Sequence, residues 1–214
     1  MAALLAGCIV SPRPEPPQAT LDMDLVNSGR HFGPTIVGDP GAASPAGADV
    51  RAIDLDTEAA PAAARIEDDG SFEIELEIHD DDVVRLQVVA DDVRSEPIDV
   101  LVSDLGTTLE PVVAPLGDCL ILEPAAEIDL AESRRVSVDN DCGREVVIEQ
   151  PTLRLPIAGI EIGADLAWPL SLADGDSVDV RVEAEPGFAT EDVFFIEASA
   201  PEHDRRPITF VPPP

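Results

Sequence analysis

The 214-residue chain carries 44 Asp and Glu against 13 Arg, has no Lys, and has a formal net charge of −31. That charge repels phosphate backbones and anionic bilayer surfaces, which argues against nucleic acid as a partner and leaves a covalent lipid as the route to a membrane. Hydrophobic residues make up 44% but aromatics only 3%, with 21 Pro and 14 Gly, so the core rests on Val, Ile, Leu and Ala in short strands between turns, and the fold class is all-β.

The chain opens on Leu5-Ala6-Gly7-Cys8, an aliphatic residue and two small residues before a cysteine. The small residues let a signal peptidase approach the backbone, and the Cys8 thiol would then carry a diacylglycerol. The motif resembles a bacterial lipoprotein signal, with residues 1–8 as its remnant and Cys8 as the lipidation site. Only seven residues precede Cys8 and none is basic, whereas an export signal has a charged start and a longer apolar run. The true start is therefore expected upstream of Met1, or Met1 is a truncated start. Residues 9–22 include "SPRPEPPQATLD", whose four prolines read as a stiff, extended tether. Acyl chains at about 0.8 kcal/mol per buried methylene would hold such a protein firmly. No run of 18 or more apolar residues occurs elsewhere, so no transmembrane helix is expected.

Residues 23–102 read as a small sandwich module. "ADVRAIDL" and "AAARIE" are short strands. "SFEIELEI" then alternates, with Phe72, Ile74, Leu76 and Ile78 on one face and Glu73, Glu75 and Glu77 on the other, the pattern of a strand with one wet side. "DVVRLQVVA" follows across Asp80-Asp81 and puts Val84, Leu86 and Val88 on one face, so the two strands are expected to form a hairpin. "PIDVLV" closes the module. Val37 to Val102, with its "PAGADV" opening, its "DDGSF" turn and its strand before "SEP", resembles the immunoglobulin-like, carboxypeptidase-regulatory-like modules of bacterial surface proteins.

Residues 103–118, "SDLGTTLEPVVAPLGD", mix Pro, Gly and Thr without periodicity and read as a linker. Eight short strands follow over residues 119–211: "CLIL", "EIDL", "RRVSVDN", "REVVIE", "TLRL", "SVDVRVEA", "VFFIEAS" and "PITFV". With turn signals between them they predict a second β-sandwich, and the three prolines of the 212–214 tail end strand pairing. The marks "LEPAAEIDL", "VSVDNDCGREVVIE" and "LADGDSVDVRVEAEPG" resemble the immunoglobulin-like sandwiches of the Hydin and major-sperm-protein type, although Asp129-Leu130-Ala131 stands where those domains have Asp-Phe-Gly. Members of that family act mostly as scaffolds or binding modules, so the resemblance implies no catalysis. The whole chain thus reads as two immunoglobulin-like sandwiches in tandem behind a Pro-rich tether.

Chemistry is sparse along this chain. His31, His79 and His203 lie far apart in polar, turn-like contexts, without the clustering a zinc site needs. The G-x-S-x-G elbow, the P-loop and G-x-G-x-x-G are absent, and paired carboxylates on so acidic a chain do not single out a glycosidase. Calcium is the one cofactor with candidate ligands: Asp54 and Asp56, Asp80 and Asp82, and Asp139 and Asp141, all at expected turns where carboxylates converge. The competing reading is an acidic surface suited to salty surroundings, with no cofactor. Trp168, in "ADLAWPLSL", is flanked by apolar residues and reads as core or edge packing rather than a sugar platform. If Cys8 is acylated, Cys119 and Cys142 remain as a pair at the start of one strand and the end of its expected neighbour, placed to close a structural disulfide. Two buried free thiols are the alternative.

These readings converge on an exported, lipid-anchored protein of the bacterial envelope, at the outer membrane or cell surface. It would be non-catalytic, a structural or protein-binding module with an envelope or surface protein as partner. The alternatives are an accessory hydrolase or inhibitor with an unrecognised site, and a calcium-dependent adhesion module.

Overall fold

The computed structural model describes residues 18–29, 35–91, 93–103 and 108–213. Cys8, His31 and residues 9–17 of the expected tether lie outside them. No helix among the described residues is long and apolar enough to cross a membrane. Apart from a single 3-10 turn at Met23–Leu25, the regular structure is β.

The first half contains Thr20–Leu21 (β1), Val26–Gly29 (β2), Thr35–Gly38 (β3), Ala43–Ser44 (β4), Asp49–Asp54 (β5), Ala62–Arg65 (β6), Phe72–Glu75 (β7), Val83–Ala90 (β8), Val93–Arg94 (β9), Ile98–Ser103 (β10) and Thr108–Pro111 (β11). One sheet has the order β11-β10-β8-β5-β6, with β9 also on β8. It faces a smaller sheet ordered β2-β3-β7, and β1 pairs with β4 beside them. Alternation decides what fills the space between. Val50 and Ala52 of β5, Val84, Leu86 and Val88 of β8, and Val100 and Val102 of β10 meet Ile36 of β3 and Phe72 and Ile74 of β7 in one buried cluster.

The structure corrects two expectations. The strand beginning at Phe72 and the strand after Asp80-Asp81 do not form a hairpin: β7 pairs with β3, and β8 pairs with β5 and β10. Both strands must turn their apolar faces into the same core. The chain meets that demand by carrying residues 76–82 across from one sheet to the other, and Leu76 and Ile78 stay buried on the way. Residues 103–118, read as a linker, contain β11, which pairs with β10 from Ser103↔Thr108 to Val100↔Pro111. Leu116 is already part of the second core. The aperiodic composition hid a strand at a sheet edge, where one side of the ladder stays wet and the side chains run from half-buried to exposed.

The second half contains Leu120–Glu123 (β12), Glu127–Asp129 (β13), Arg135–Asn140 (β14), Val146–Ile148 (β15), Thr152–Leu153 (β16), Ile160–Ile162 (β17), Leu170–Leu172 (β18), Ser177–Ala184 (β19), Asp192–Ala200 (β20) and Asp204–Val211 (β21). The sheets are ordered β12-β14-β19-β17 and β13-β21-β20-β15-β18, with β16 also on β20. The first strand of this sandwich is split. β12 joins one sheet antiparallel to β14, and β13 joins the other parallel to β21, an immunoglobulin-like arrangement. The short strands β17 and β18, absent from the expected eight, form the edges opposite. Trp168, just before β18, is half-buried against the second core and donates its indole N–H to the Gly163 carbonyl at 3.0 Å. Gly163 has φ +61°, and a Cβ there would sit 2.7 Å from the Trp168 ring, so both conformation and space require glycine.

Candidate functional site

The two sandwiches meet face to face, and alternation creates the contact. On β5 and β8 the residues between the core positions, Arg51 and Ile53, then Val83, Arg85 and Gln87, point away from the first core. On β20, Phe194, Ile196 and Ala198 fill the second core, while Val193 and Phe195 point outward. The outward apolar residues find one another: Ile53, Leu55, Val193 and Phe195 form a third buried cluster with Val83 against it. β8 and β20 are therefore buried on both faces.

Around this small apolar patch the join is made by arginines. Arg85 is 3% exposed and uses every N–H it has. Nε and Nη2 grip Asp99 at 2.7 and 2.9 Å within the first sandwich. Nη1 donates across the boundary to the Ala126 carbonyl and the Thr209 hydroxyl, and Nη2 donates to the Pro207 carbonyl at 2.7 Å. Those acceptors lie where the parallel β13–β21 ladder begins, so the guanidinium closes the open end of a ladder in the other sandwich. Arg154 is the reciprocal case. It is paired with Asp192 inside the second sandwich, and Nη1 reaches the Thr57 and Ala59 carbonyls of the first at 3.0 and 2.9 Å. The planar five-donor fork of arginine makes such multiple grips possible, and lysine would not replace it.

Three further arginines form ion pairs across the boundary. Arg51 and Arg94 both bind Glu191 at 2.7 Å, and Arg94 also binds Glu127 at 3.0 Å. Gln87 donates to Glu127 from the first sandwich. Burial pushes the Glu191 carboxyl up, but hydrogen bonds and charge from Arg94 and Arg51 outweigh it and hold the group below its ordinary value. Burial likewise pulls Arg94 down, and Glu191 and Glu127 more than offset it. Arg205 stacks on the Phe195 ring at 3.6 Å to the centroid, pairs with Asp56 and donates to the Leu55 carbonyl.

The expected calcium ligands divide. Asp54, Asp56 and Asp82 converge, with one carboxylate oxygen of each within 4.8 Å of the others. All three are engaged by the protein. Asp54 accepts from the Asp56 and Thr57 amides and the Thr57 hydroxyl. Asp56 accepts from Val83 N and Arg205. Asp82 accepts from His79 N. Arg205 thus supplies positive charge at this cluster from the other sandwich. Asp80 is not a member of it, and Asp139 and Asp141 sit at the end of β14 in the second sandwich.

Cys119 and Cys142 form a disulfide with Cα atoms 4.7 Å apart, across the pairing of β12 with β14 that the sequence anticipated. His79 and His203 are exposed and lie beside Asp82 and Glu197. A cleft of about 470 Å³ opens between the sandwiches beside the arginine contacts, walled by Pro97, Val112, Pro115 and Pro207. The interface was the feature that sequence reading missed. Its one signal was the unbroken apolar "VFFI", the mark of a strand covered on two sides, whereas the alternating arginine and glutamine of "VVRLQVV" read as a wet face.

Fold and site together define a tandem β-sandwich protein whose halves are joined by arginine. No protein-family model and no curated protein matches the chain. Among solved structures it is similar to a chain described as a biofilm associated protein, BSP domain, at 13% identity and a TM-score of 0.24. The overlap covers 92% of this chain but only 29% of that one, and similarity at this level carries no argument about function.

Proposed function

We propose that this chain is a lipid-anchored, non-catalytic module of the bacterial envelope that holds a binding surface at a fixed distance from the membrane. The observation that carries the reading is the interface. Five arginines, an apolar patch and two strands buried on both faces hold the two sandwiches against each other in the docked state, which suits a spacer or presenting scaffold. Leu5-Ala6-Gly7-Cys8 and the Pro-rich stretch behind it support attachment through Cys8. The Cys119–Cys142 disulfide supports an oxidising compartment outside the cytoplasm. The partner in this reading is an envelope or surface protein.

The test uses the chain expressed with a full export signal and fed radiolabelled palmitate. Native protein should incorporate label and sediment with membranes, and Cys8→Ser should do neither. A Cys8→Ser protein that still sediments with membranes would end the lipid-anchor reading.

A further inference from the structure

We propose that docking of the two sandwiches is gated by ionic strength and closes as salt rises. An interface made of ion pairs is ordinarily expected to loosen in salt, and the placement of charge in this chain reverses the sign. Residues 1–111 hold 23 carboxylates and 6 arginines, and residues 112–214 hold 21 and 7, so the halves carry −17 and −14 and repel each other. This repulsion is the sum of many solvent-exposed carboxylates acting through water. It is strong where the screening length is about 30 Å, at about 0.01 M salt, and is largely gone where that length is about 3 Å, at about 1 M.

The attractive contacts respond differently. Arg85 and Arg154 have side chains only 3% and 1% exposed, and their bonds to the opposite sandwich are made at hydrogen-bond distance to carbonyl and hydroxyl oxygens. Counter-ions do not enter there, so salt leaves these contacts almost untouched. The cluster of Ile53, Leu55, Val193 and Phe195 is apolar and is not weakened by screening. Only Arg51–Glu191 and Arg205–Asp56, about a third exposed on the arginine side, lose strength appreciably. Salt therefore removes a long-range opposition while sparing most of what holds the faces together. The proposal concerns the docking of the two halves and does not depend on the envelope reading.

The experiment is small-angle X-ray scattering on the soluble full chain, moved from about 1 M to about 0.01 M sodium chloride and back, the range over which the screening length changes tenfold. The radius of gyration should rise by several ångström at low salt, the distance distribution should become two-lobed, and both should return on adding salt. Far-UV circular dichroism should stay constant throughout, which separates undocking from unfolding. Arg94→Gln removes the part-buried pairs to Glu191 and Glu127 and should move the closing transition to severalfold higher salt. A chain that is compact at every salt concentration overturns the proposal. So does one that expands as salt rises, one that is open even at the highest salt, or one whose circular dichroism collapses with its scattering profile.

Discussion

Replacing Arg85 by methionine keeps most of the side-chain volume and removes the five donors. Asp99, which is 19% exposed at its side chain, would lose its bidentate partner, and the carbonyls of Ala126 and Pro207 and the Thr209 hydroxyl would lose their donor from the first sandwich. Removing one member of a buried, hydrogen-bonded charge pair costs about 3–5 kcal/mol. That is a large share of the roughly 5–15 kcal/mol by which a domain is stable. For a chain of this size each kcal/mol is worth about 2–4 °C, so the melting temperature should fall by about 10 °C. Two further variants serve as controls. Arg135 and Asp179 form a pair whose side chains are 68% and 47% exposed, and Arg135→Met should cost no more than about 1 kcal/mol. Arg85→Met combined with Asp99→Leu removes both charges and should recover about half the loss, the unserved carbonyls accounting for the rest. Urea unfolding followed by far-UV circular dichroism reads all three. An Arg85→Met protein within about 1 kcal/mol of the native chain would refute the role assigned to Arg85 in the interface, the threshold being set by the ordinary cost of a surface pair, about 0–1 kcal/mol.

The remaining predictions are smaller. Reducing the disulfide, which joins positions 23 residues apart, should lower stability by about 3 kcal/mol in the chain-entropy picture, measured as the urea midpoint with and without dithiothreitol; an unchanged midpoint would deny it a structural role. Glu191 is held below its ordinary value of 4.5 in the folded state, so its contribution is complete above that pH and is lost as pH falls through the lowered value. Glu191→Gln should therefore be less stable than the native chain at neutral pH, with the difference shrinking below about pH 4.5. Equal acid limbs for the two proteins would rule this out. Calcium added to the full chain should give only heats of dilution, because the oxygens of Asp54, Asp56 and Asp82 already accept bonds from amides, a hydroxyl and Arg205; a saturable signal lost in Asp82→Asn would contradict this.

The strands were the most legible part of this protein. Phe72 and Ile74 alternate with Glu73 and Glu75 in the sequence and alternate between buried and exposed in the fold, because a half-wet strand writes its environment directly into its period. The disulfide was legible for a similar reason: strand start and strand end fix where two cysteines can meet. The pairing of β7 was not, since alternation says which face is apolar but not which neighbour lies alongside. The interface was the least legible. Arg85 and Gln87 occupy positions that period-2 reading assigns to water, and only the other sandwich, with Thr209 lying 124 residues further along the chain than Arg85, makes those positions interior. The acidic turns were half legible: Asp54, Asp56 and Asp82 do converge, but the cation that meets them is a guanidinium supplied from β21.

Arg85 leaves the ribosome 124 residues ahead of Thr209, its partner in the second half. During that interval the outer face of the first sheet has nothing to cover it. A face built of leucine and phenylalanine would be adhesive for the whole period of synthesis and of any passage through a membrane. This one offers water two arginines and a glutamine around a few aliphatic side chains, and a guanidinium in water needs no partner. The Arg85 guanidinium is well hydrated in the nascent chain and has every N–H bonded in the finished one. Putting the join on arginine lets the first half wait in solution for the second without clumping, a benefit to biogenesis that the finished fold no longer displays.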